Sequence, residues 1–263
     1  MTFPELEKEF TITSNILLGT GLKGLDNYGN WLGKRIPLPW PTKSAVSGKE
    51  VWLPPGLIFM GKKYSKTRAI AMDEVDKVNH SKFNFDDIKN SNVKDMFERV
   101  MQPIGYAIGN FRYKSYENVD KASGAGDCRN VYYGEDLYLG LKNCAFSNYA
   151  LYSKNMFGCH NVPHSEFCIH AYNSVSISRA FEVDGCYHSS DILFCHNSEG
   201  LTNCMFCFNV KNKRYAIGNV EVGREQYTRV KKLLLDYVGS QLAKTQSLDF
   251  DIYSIGKRGD KNV

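Results

Sequence analysis

Residues 191 to 209 read DILFCHNSEGLTNCMFCFN and set Asp191, Asn197, Asn203 and Asn209 six positions apart, with apolar or small residues between them. Upstream, Asn143, Asn155, Asn161 and Asn173 fall on the same phase, and between Asn143 and Asn209 only Asn148 lies off it. A fixed period of this kind marks a chain built from stacked units. Counted from the amide, the next position is small or apolar (Cys144, Ala150, Cys168, Ala180, Cys186, Ile192, Ser198, Cys204). The fourth position is small again (Ser147, Ser153, Cys159, Ala171, Ser189, Cys195, Cys207). The second position carries larger groups such as Phe157, Ile169, Phe181, Leu193 and Met205.

A period of six suits neither an α-helix nor a hairpin meander. It predicts a mainly β fold, a parallel β-helix in which each six-residue unit forms one side of a coil; three sides make a triangular solenoid of about 18 residues per coil. That lag stacks Cys168, Cys186 and Cys204 in one column and Asn155, Asn173, Asp191 and Asn209 in another. A lag of 12 fits the amides equally well; the cysteine column and the triangular outline favour 18. Coils stacked about 4.8 Å apart let equivalent amides hydrogen-bond as a ladder, and small interior residues avoid overpacking a narrow channel.

Outside the repeat, three regions are expected. Residues 1–123 form an irregular α+β region ending in a cap, 124–213 the solenoid, and 214–263 a C-terminal cap, helix and strand. The pentapeptide YAIGN occurs at 106–110 and again at 215–219, one copy on each side of the solenoid, which suggests caps for its open edges. A helix is expected from about Asn92 with Val93, Met96, Phe97, Val100 and Met101 at helical spacing, and another over 225–242 with Val230, Leu234, Tyr237 and Val238 inward. SLDFDIYSI, residues 247–255, alternates like a last strand.

At 263 residues, 43% apolar and 23% charged, the chain has the composition of a soluble globular protein, and its net charge of +5 is spread without a basic arm. Nucleic acid is therefore an unexpected partner. The first nine residues lack a basic start and an apolar stretch, and no apolar run approaches the ~18 residues of a membrane span. Cytoplasmic synthesis is expected, and no membrane partner.

Eight cysteines raise disulfides or zinc, and Cys204 and Cys207 form a C-x-x-C. Seven of the eight occupy the two small positions of the hexad, leaving Cys128 outside, so buried free thiols are the favoured reading. His170 and His188 are 18 apart and would stack on neighbouring triangular coils, a histidine pair with no clear third ligand or orienting carboxylate; with Cys204 and Cys207 they are the candidate metal ligands. Glu182, Asp184, Asp191 and Glu199 are candidates for a glycan-cleaving carboxylate pair, against the simpler reading of a solvated face. No phosphate loop, dinucleotide fingerprint or serine nucleophile elbow is present, and no cofactor is called for.

CMFCFNVKNKRYAIGN, residues 204–219, followed by VEVGREQYTRV, resembles the end of a Cys- and Asn-rich repeat family of candidate-phylum bacteria and tailed phages, whose closing motif is C-F-G-C-x-G-L-[KR]-N-K-x-Y-C-I-x-N. Cys204, Cys207, Lys211, Asn212, Lys213, Tyr215, Ile217 and Asn219 match; Asn209 replaces a Gly and Ala216 the second Cys. SKNMFGCHN (153–161) is similar to the family's internal repeats, and the resemblance covers roughly residues 115 to 240. It implies the repeat architecture and a phage origin, and it transfers no catalytic residue.

The expected function is a non-enzymatic structural or assembly protein, a phage virion component being one such role, with the solenoid as a rigid spacer and other protein subunits as partners. Trp31, Trp40 and Trp52, in loop-like sequence outside the repeat, are the candidate contact residues. The alternatives are a glycan- or protein-binding module using Tyr132, Tyr133, Tyr138, Tyr149 and Tyr152, or a metal-dependent or carbohydrate-active β-helix enzyme.

Overall fold

The computed structural model describes residues 3–56, 66–78, 84–101, 105–160, 165–172 and 177–255. Helix α1 (Pro4–Leu18) opens the chain, followed by the short α2 (Gly29–Leu32), an antiparallel hairpin β1 (Trp40–Lys43) and β2 (Glu50–Leu53), and strand β3 (Ala69–Ala71). Three short helices come next: α3 (Val75–Val78), α4 (Phe85–Lys89) and α5 (Val93–Met101). Strand β4 (Tyr106–Gly109) pairs parallel with β3 and leads into the solenoid.

The solenoid strands are β5 (Phe111–Ala122), β6 (Gly124–Leu151), β7 (Lys154–Cys159), β8 (Ser165–Tyr172), β9 (Ile177–Phe181), β10 (Ser190–Leu193), β11 (Thr202–Met205) and β12 (Arg214–Ile217). Each runs parallel to the next, giving a parallel β-solenoid of about 8 turns. At about 4.8 Å per coil its length is roughly 38 Å. The antiparallel β13 (Val220–Glu221) closes the last coil, and α6 (Arg224–Thr245) follows. The parallel ladder starts at Phe111, earlier than the residue 124 expected from the hexads.

The coil holds about 12 residues, which corrects the 18-residue triangular expectation. Ser178, Ser190, Thr202 and Arg214 are successive backbone partners. Four residues per coil make such pairs: Asp184 with His196, Tyr187 with Glu199, Ser190 with Thr202 and Leu193 with Met205. Each coil therefore has four sides of three residues. At every third position the backbone turns a corner with positive φ: Asp191, Phe194, Asn197, Gly200, Asn203, Phe206, Asn209 and Asn212 follow one another in this way. The residue after each corner points inward, and the next makes the backbone pair and points out.

This three-residue unit explains the six-residue amide spacing. Asn recurs on one set of alternate corners (Asn143, Asn155, Asn197, Asn203, Asn209) because a left-handed backbone is strained for most side chains but tolerated by Asn. The two small positions of the hexad are both interior positions, one on each of two successive sides. With sides only three residues long, roughly 10 Å at strand rise, the channel admits Cys, Ser, Ala and single larger groups such as Ile192 and Leu201, all buried. Interior hydroxyls and thiols bond to the carbonyl two residues back: Ser189 donates to the Tyr187 carbonyl oxygen at 2.8 Å, Ser198 to His196 at 2.8 Å, Cys186 to Asp184 at 3.8 Å and Cys204 to Thr202 at 3.5 Å. The position thus accepts Ser or Cys without leaving a buried donor unpaired.

The expected columns change with the coil. An amide ladder exists, but it runs Asn118, Asn130, Asn143, Asn155, at 2.8, 2.8 and 3.2 Å, and ends on the Glu9 carboxylate of α1 at 3.2 Å. Asn209 pairs with Asn197 at 2.8 Å, Asp191 lies 3.9 Å from Arg179, and Asn173 lies outside the described residues. Cys168 and Cys204 share an interior column through Ala180 and Ile192, whereas Cys186 belongs to another side.

Both YAIGN copies end a ladder through the Asn side chain. Asn219 accepts from the Phe208 N–H at 2.8 Å and donates to the Phe208 carbonyl at 3.0 Å; Asn110 accepts from Trp52 N–H at 2.9 Å and donates to the Glu50 carbonyl at 2.8 Å. In each case the amide stands in for a missing strand. At the first coil Arg112, in the column above Ala125, donates to the carbonyls of Phe111 and Ala122 at 2.9 and 3.1 Å and closes the channel mouth.

Three outward columns are polar and one is apolar: Ala145, Phe157, Ile169, Phe181, Leu193 and Met205 lie along a single face. Leu6, Phe10 and Leu18 of α1, Trp31 and Leu32 of α2, Tyr227, Val238 and Leu242 of α6, and Leu248 and Ile252 of the tail cover it and make the second core. Gly158 permits the close crossing of α2, since a Cβ there would collide with the Leu32 carbonyl. The chain ends thus flank the solenoid along its length. The tail forms turns instead of the expected strand, because Asp251 folds back on the Ser254 and Ile255 amides at 3.0 and 2.9 Å.

Candidate functional site

The candidate metal ligands do not converge. On a 12-residue coil a separation of 18 is one and a half turns, so His170 is buried beneath Trp31, with ring centroids 4.7 Å apart, while His188 is exposed on another side. Burial lowers His170 to about 3, and neither ring nitrogen has a partner. Cys204 and Cys207 sit inside the channel on adjacent sides, with Cys195 one coil before Cys207. The Cys207 thiol and burial together raise Cys195 and Cys204 well above the usual thiol range. Burial likewise pushes Cys144 and Cys186 up to about 12. All eight cysteines are free and buried. Among the described residues no group of three His, Cys, Asp or Glu side chains is arranged to hold a metal ion.

Nor do the four candidate carboxylates form a pair flanking a cleft. Three of them bridge coils at the 12-residue lag: Asp184 to His196 Nδ1 at 2.8 Å, Asp191 to Arg179 at 3.9 Å, and Glu199 to Lys211 at 2.6 Å. Glu182 is buried under the tail, where Oε1 accepts from Ile252 N–H at 2.9 Å and from the Tyr172 hydroxyl at 3.4 Å, while Oε2 has no partner. Burial, reinforced by the Asp251 charge, pushes it up to about 8. A second perturbed acid, absent from the sequence-level candidates, is Glu135. Burial and then the charge of Asp136 lift it to about 7, although Asn148 Nδ2 donates to Oε2 at 2.7 Å. Nothing in its local sequence distinguishes it from an exposed acid.

The surface carries the remaining candidates. Trp31 and Trp52 pack inside, the first in the core under α1 and the second against Tyr133 at 5.4 Å, so they are structural and not contact residues; Trp40 is half-buried against the β1–β4 core. Tyr132 is buried as well, its hydroxyl donating to Asp26 at 2.6 Å and accepting from Lys121 Nζ at 2.6 Å. Exposed large apolar groups occur along the whole chain, and some of them lie ahead of and along the first coil. Phe85 of α4 is 67% exposed, Val93 and Phe97 of α5 are 65% and 58% exposed, and Phe111, Tyr113 and Tyr116 of β5 also face solvent. Val93 and Phe97 share one face of α5 by their spacing of four. The amphipathic helix expected from about Asn92 therefore forms, with Val93 and Phe97 facing solvent and Met96 and Val100 half-buried. The Phe111 and Tyr113 rings lie nearly parallel, 6.4 Å apart, with Lys114 Nζ 5.4 Å from the Tyr113 centroid. Among the described residues no helix is long and apolar enough to cross a membrane. No family model, curated protein or solved structure matches this chain, so its likenesses rest on the residues quoted above and its chemistry on the geometry alone.

Proposed function

We propose that the chain is a non-enzymatic structural or assembly protein, with the solenoid as a rigid spacer and the α4–α5 pair as its contact element toward another protein subunit. The observation that carries this reading is the exposure of Phe85 on α4 and of Val93 and Phe97 on α5, which no described part of the chain covers. An exposed face of this kind is characteristic of protein contacts, where aromatic anchors supply most of the binding energy. The solenoid supports the reading, since its interior is filled and its interior Ser and Cys groups bond locally. The resemblance to phage-borne repeat proteins makes a virion one such assembly.

The test compares the wild-type chain with a Val93→Glu/Phe97→Glu double variant in its source. Size separation of source extracts should place the wild type in a particle and the variant in the monomer fraction, with both showing the same melting temperature after purification. A wild-type monomer in every fraction, or a variant that stays in the particle, overturns the proposal. A second reading, a glycan-binding module, is favoured by the near-parallel exposed rings of Phe111 and Tyr113. Sugar-dependent quenching lost in a Tyr113→Ala variant would support it.

A further inference from the structure

One corner column beneath the flanking segments runs Gly158, His170, Glu182, Phe194, and its two polar members lie on neighbouring coils under the tail. Several ionisable groups surround them. Tyr172 and Asp184 come from the solenoid, Lys34 and Arg35 from the segment after α2, and Asp251 and Tyr253 from the tail. Arg35 is committed to Asp251, with Nη2 and Nε donating at 2.6 and 3.0 Å, and Lys34 lies 3.2 Å from the same carboxylate. Its guanidinium also rests 4.6 Å from the Tyr253 ring centroid. Arg35 reaches Glu182 only through its field, as the weakest of the influences on it, and Glu182 Oε2 has no hydrogen-bond partner. An ionised carboxylate there would be a buried charge whose desolvation outweighs the Ile252 N–H, the Tyr172 hydroxyl and the Arg35 field. Glu182 nonetheless accepts the Ile252 N–H, a direct bond from solenoid to tail.

We propose that residues Leu248–Ile255 act as a clasp that closes only on the neutral acid form of Glu182, and that ionisation of this side chain lifts the tail from Phe181 and Leu193 of the apolar column and from the corner residue Phe194. The ring of Phe250 rests on Phe194, with centroids 5.4 Å apart, so release of the tail uncovers an aromatic surface. Glu182 is raised from 4.5 to about 8. A raised acid contributes its closing energy fully below the unfolded value and loses it as pH rises through the folded value, so the clasp opens on the alkaline side. His170, lowered from 6.5 to about 3, has the opposite sense and weakens closure as pH falls below the usual histidine range. Asp251, held by Arg35 and Lys34 below its ordinary value despite burial, stays ionised across this window. Tyr172 and Tyr253 are raised by burial and stay neutral.

The test is chymotryptic cleavage after Phe250 and Tyr253 in the full chain, read by mass and normalised at each pH to a reference peptide. Between pH 7 and 9 the wild-type rate should rise about tenfold, as the linkage of a carboxyl titrating near 8 requires. Glu182→Gln, neutral at every pH, should stay slow throughout. Arg35→Ala, which removes the ion pair to Asp251, should be faster at both pH values and still rise with pH. A wild-type rate that does not change, or a Glu182→Gln variant that rises like wild type or is already open at pH 7, overturns the clasp. Should that variant fail to fold, the carbon-13 shift of the wild-type Glu182 carboxyl decides. A midpoint coinciding with the cleavage rise supports the clasp, and one in the ordinary glutamate range overturns it.

Discussion

At each corner a residue holds a positive φ that costs most side chains about 1–2 kcal/mol, and Asn reduces this strain while offering an amide to the coils on either side. Asn130, buried in the middle of the ladder, both accepts from Asn118 and donates to Asn143, whereas Asn209 pairs once, at the surface. Asn130→Ala should therefore lower unfolding free energy by about 2–4 kcal/mol and Asn209→Ala by less than about 1 kcal/mol, measured by denaturant titration. The channel positions discriminate by size and not by chemistry. Cys186→Ser keeps a donor for the Asp184 carbonyl and should change stability by less than about 1 kcal/mol, while Cys186→Phe should cost on the order of 1–3 kcal/mol or prevent folding. In the native protein a thiol reagent should label few of the eight cysteines and in denaturant all of them; rapid native labelling of most would contradict a closed channel.

The element that repeats is a coil of four three-residue sides, so the chain should tolerate whole coils and nothing else. Deleting residues 192–203 joins corner Asp191 to interior Cys204 and puts Phe206 in the place of Phe194. The product should keep its β circular dichroism and a cooperative melt at a lower temperature. Deleting residues 186–203 removes one and a half coils, turns the apolar outward column to the opposite side and should abolish the melt. Were the coil 18 residues long, the two outcomes would exchange. Helix α1 is the other decisive element, because Phe10 packs on Phe157 at 5.2 Å and on Tyr28 at 5.6 Å. Phe10→Ala should cost about 3–5 kcal/mol, since no neighbouring side chain is free to fill the space between helix and solenoid.

For the molecule as a whole, the buried polar cluster sets the acid limb of stability. His170 is neutral in the fold, with its value lowered from 6.5 to about 3 by burial, so its contribution is present above the unfolded value and is lost as pH falls toward the folded one. Thermal midpoints should accordingly decline below about pH 4.5, where Glu182 no longer offsets the loss, and a His170→Phe variant, which keeps a ring against Trp31, should show a shallower decline. An identical acid slope in the variant would assign the acid limb to other groups. Opposite slopes from Glu182 and His170 overlap between about pH 4.5 and 6.5 and offset each other there, leaving a plateau whose two edges each report one residue.

Much of the solenoid was written in the one-dimensional pattern. The phase of Asn143, Asn155, Asn197, Asn203 and Asn209 identifies a parallel coil because only stacked, equivalent positions require the same residue type at a fixed lag. The choice between 12 and 18 residues was also encoded, though in the charges instead of the cysteines. Glu199 and Lys211, Arg179 and Asp191, and Glu117 and Arg129 are opposite charges 12 apart that meet across neighbouring coils, and Asp184 and His196 hydrogen-bond at the same lag. Cysteines are uninformative about the lag because every interior position accepts them. Local sequence could not indicate where the apolar outward column would be covered. Trp31 in its loop and Phe97 on its amphipathic helix are equally apolar to a reader of the chain, yet one is buried and the other exposed. That assignment depends on how α1, α2, α6 and the tail cross a single face of the solenoid, through contacts between residues far apart in sequence. The same crossings desolvate His170 and Glu182, and it is tertiary structure alone that sets those two side chains apart from exposed residues of the repeat such as His188 and Glu199.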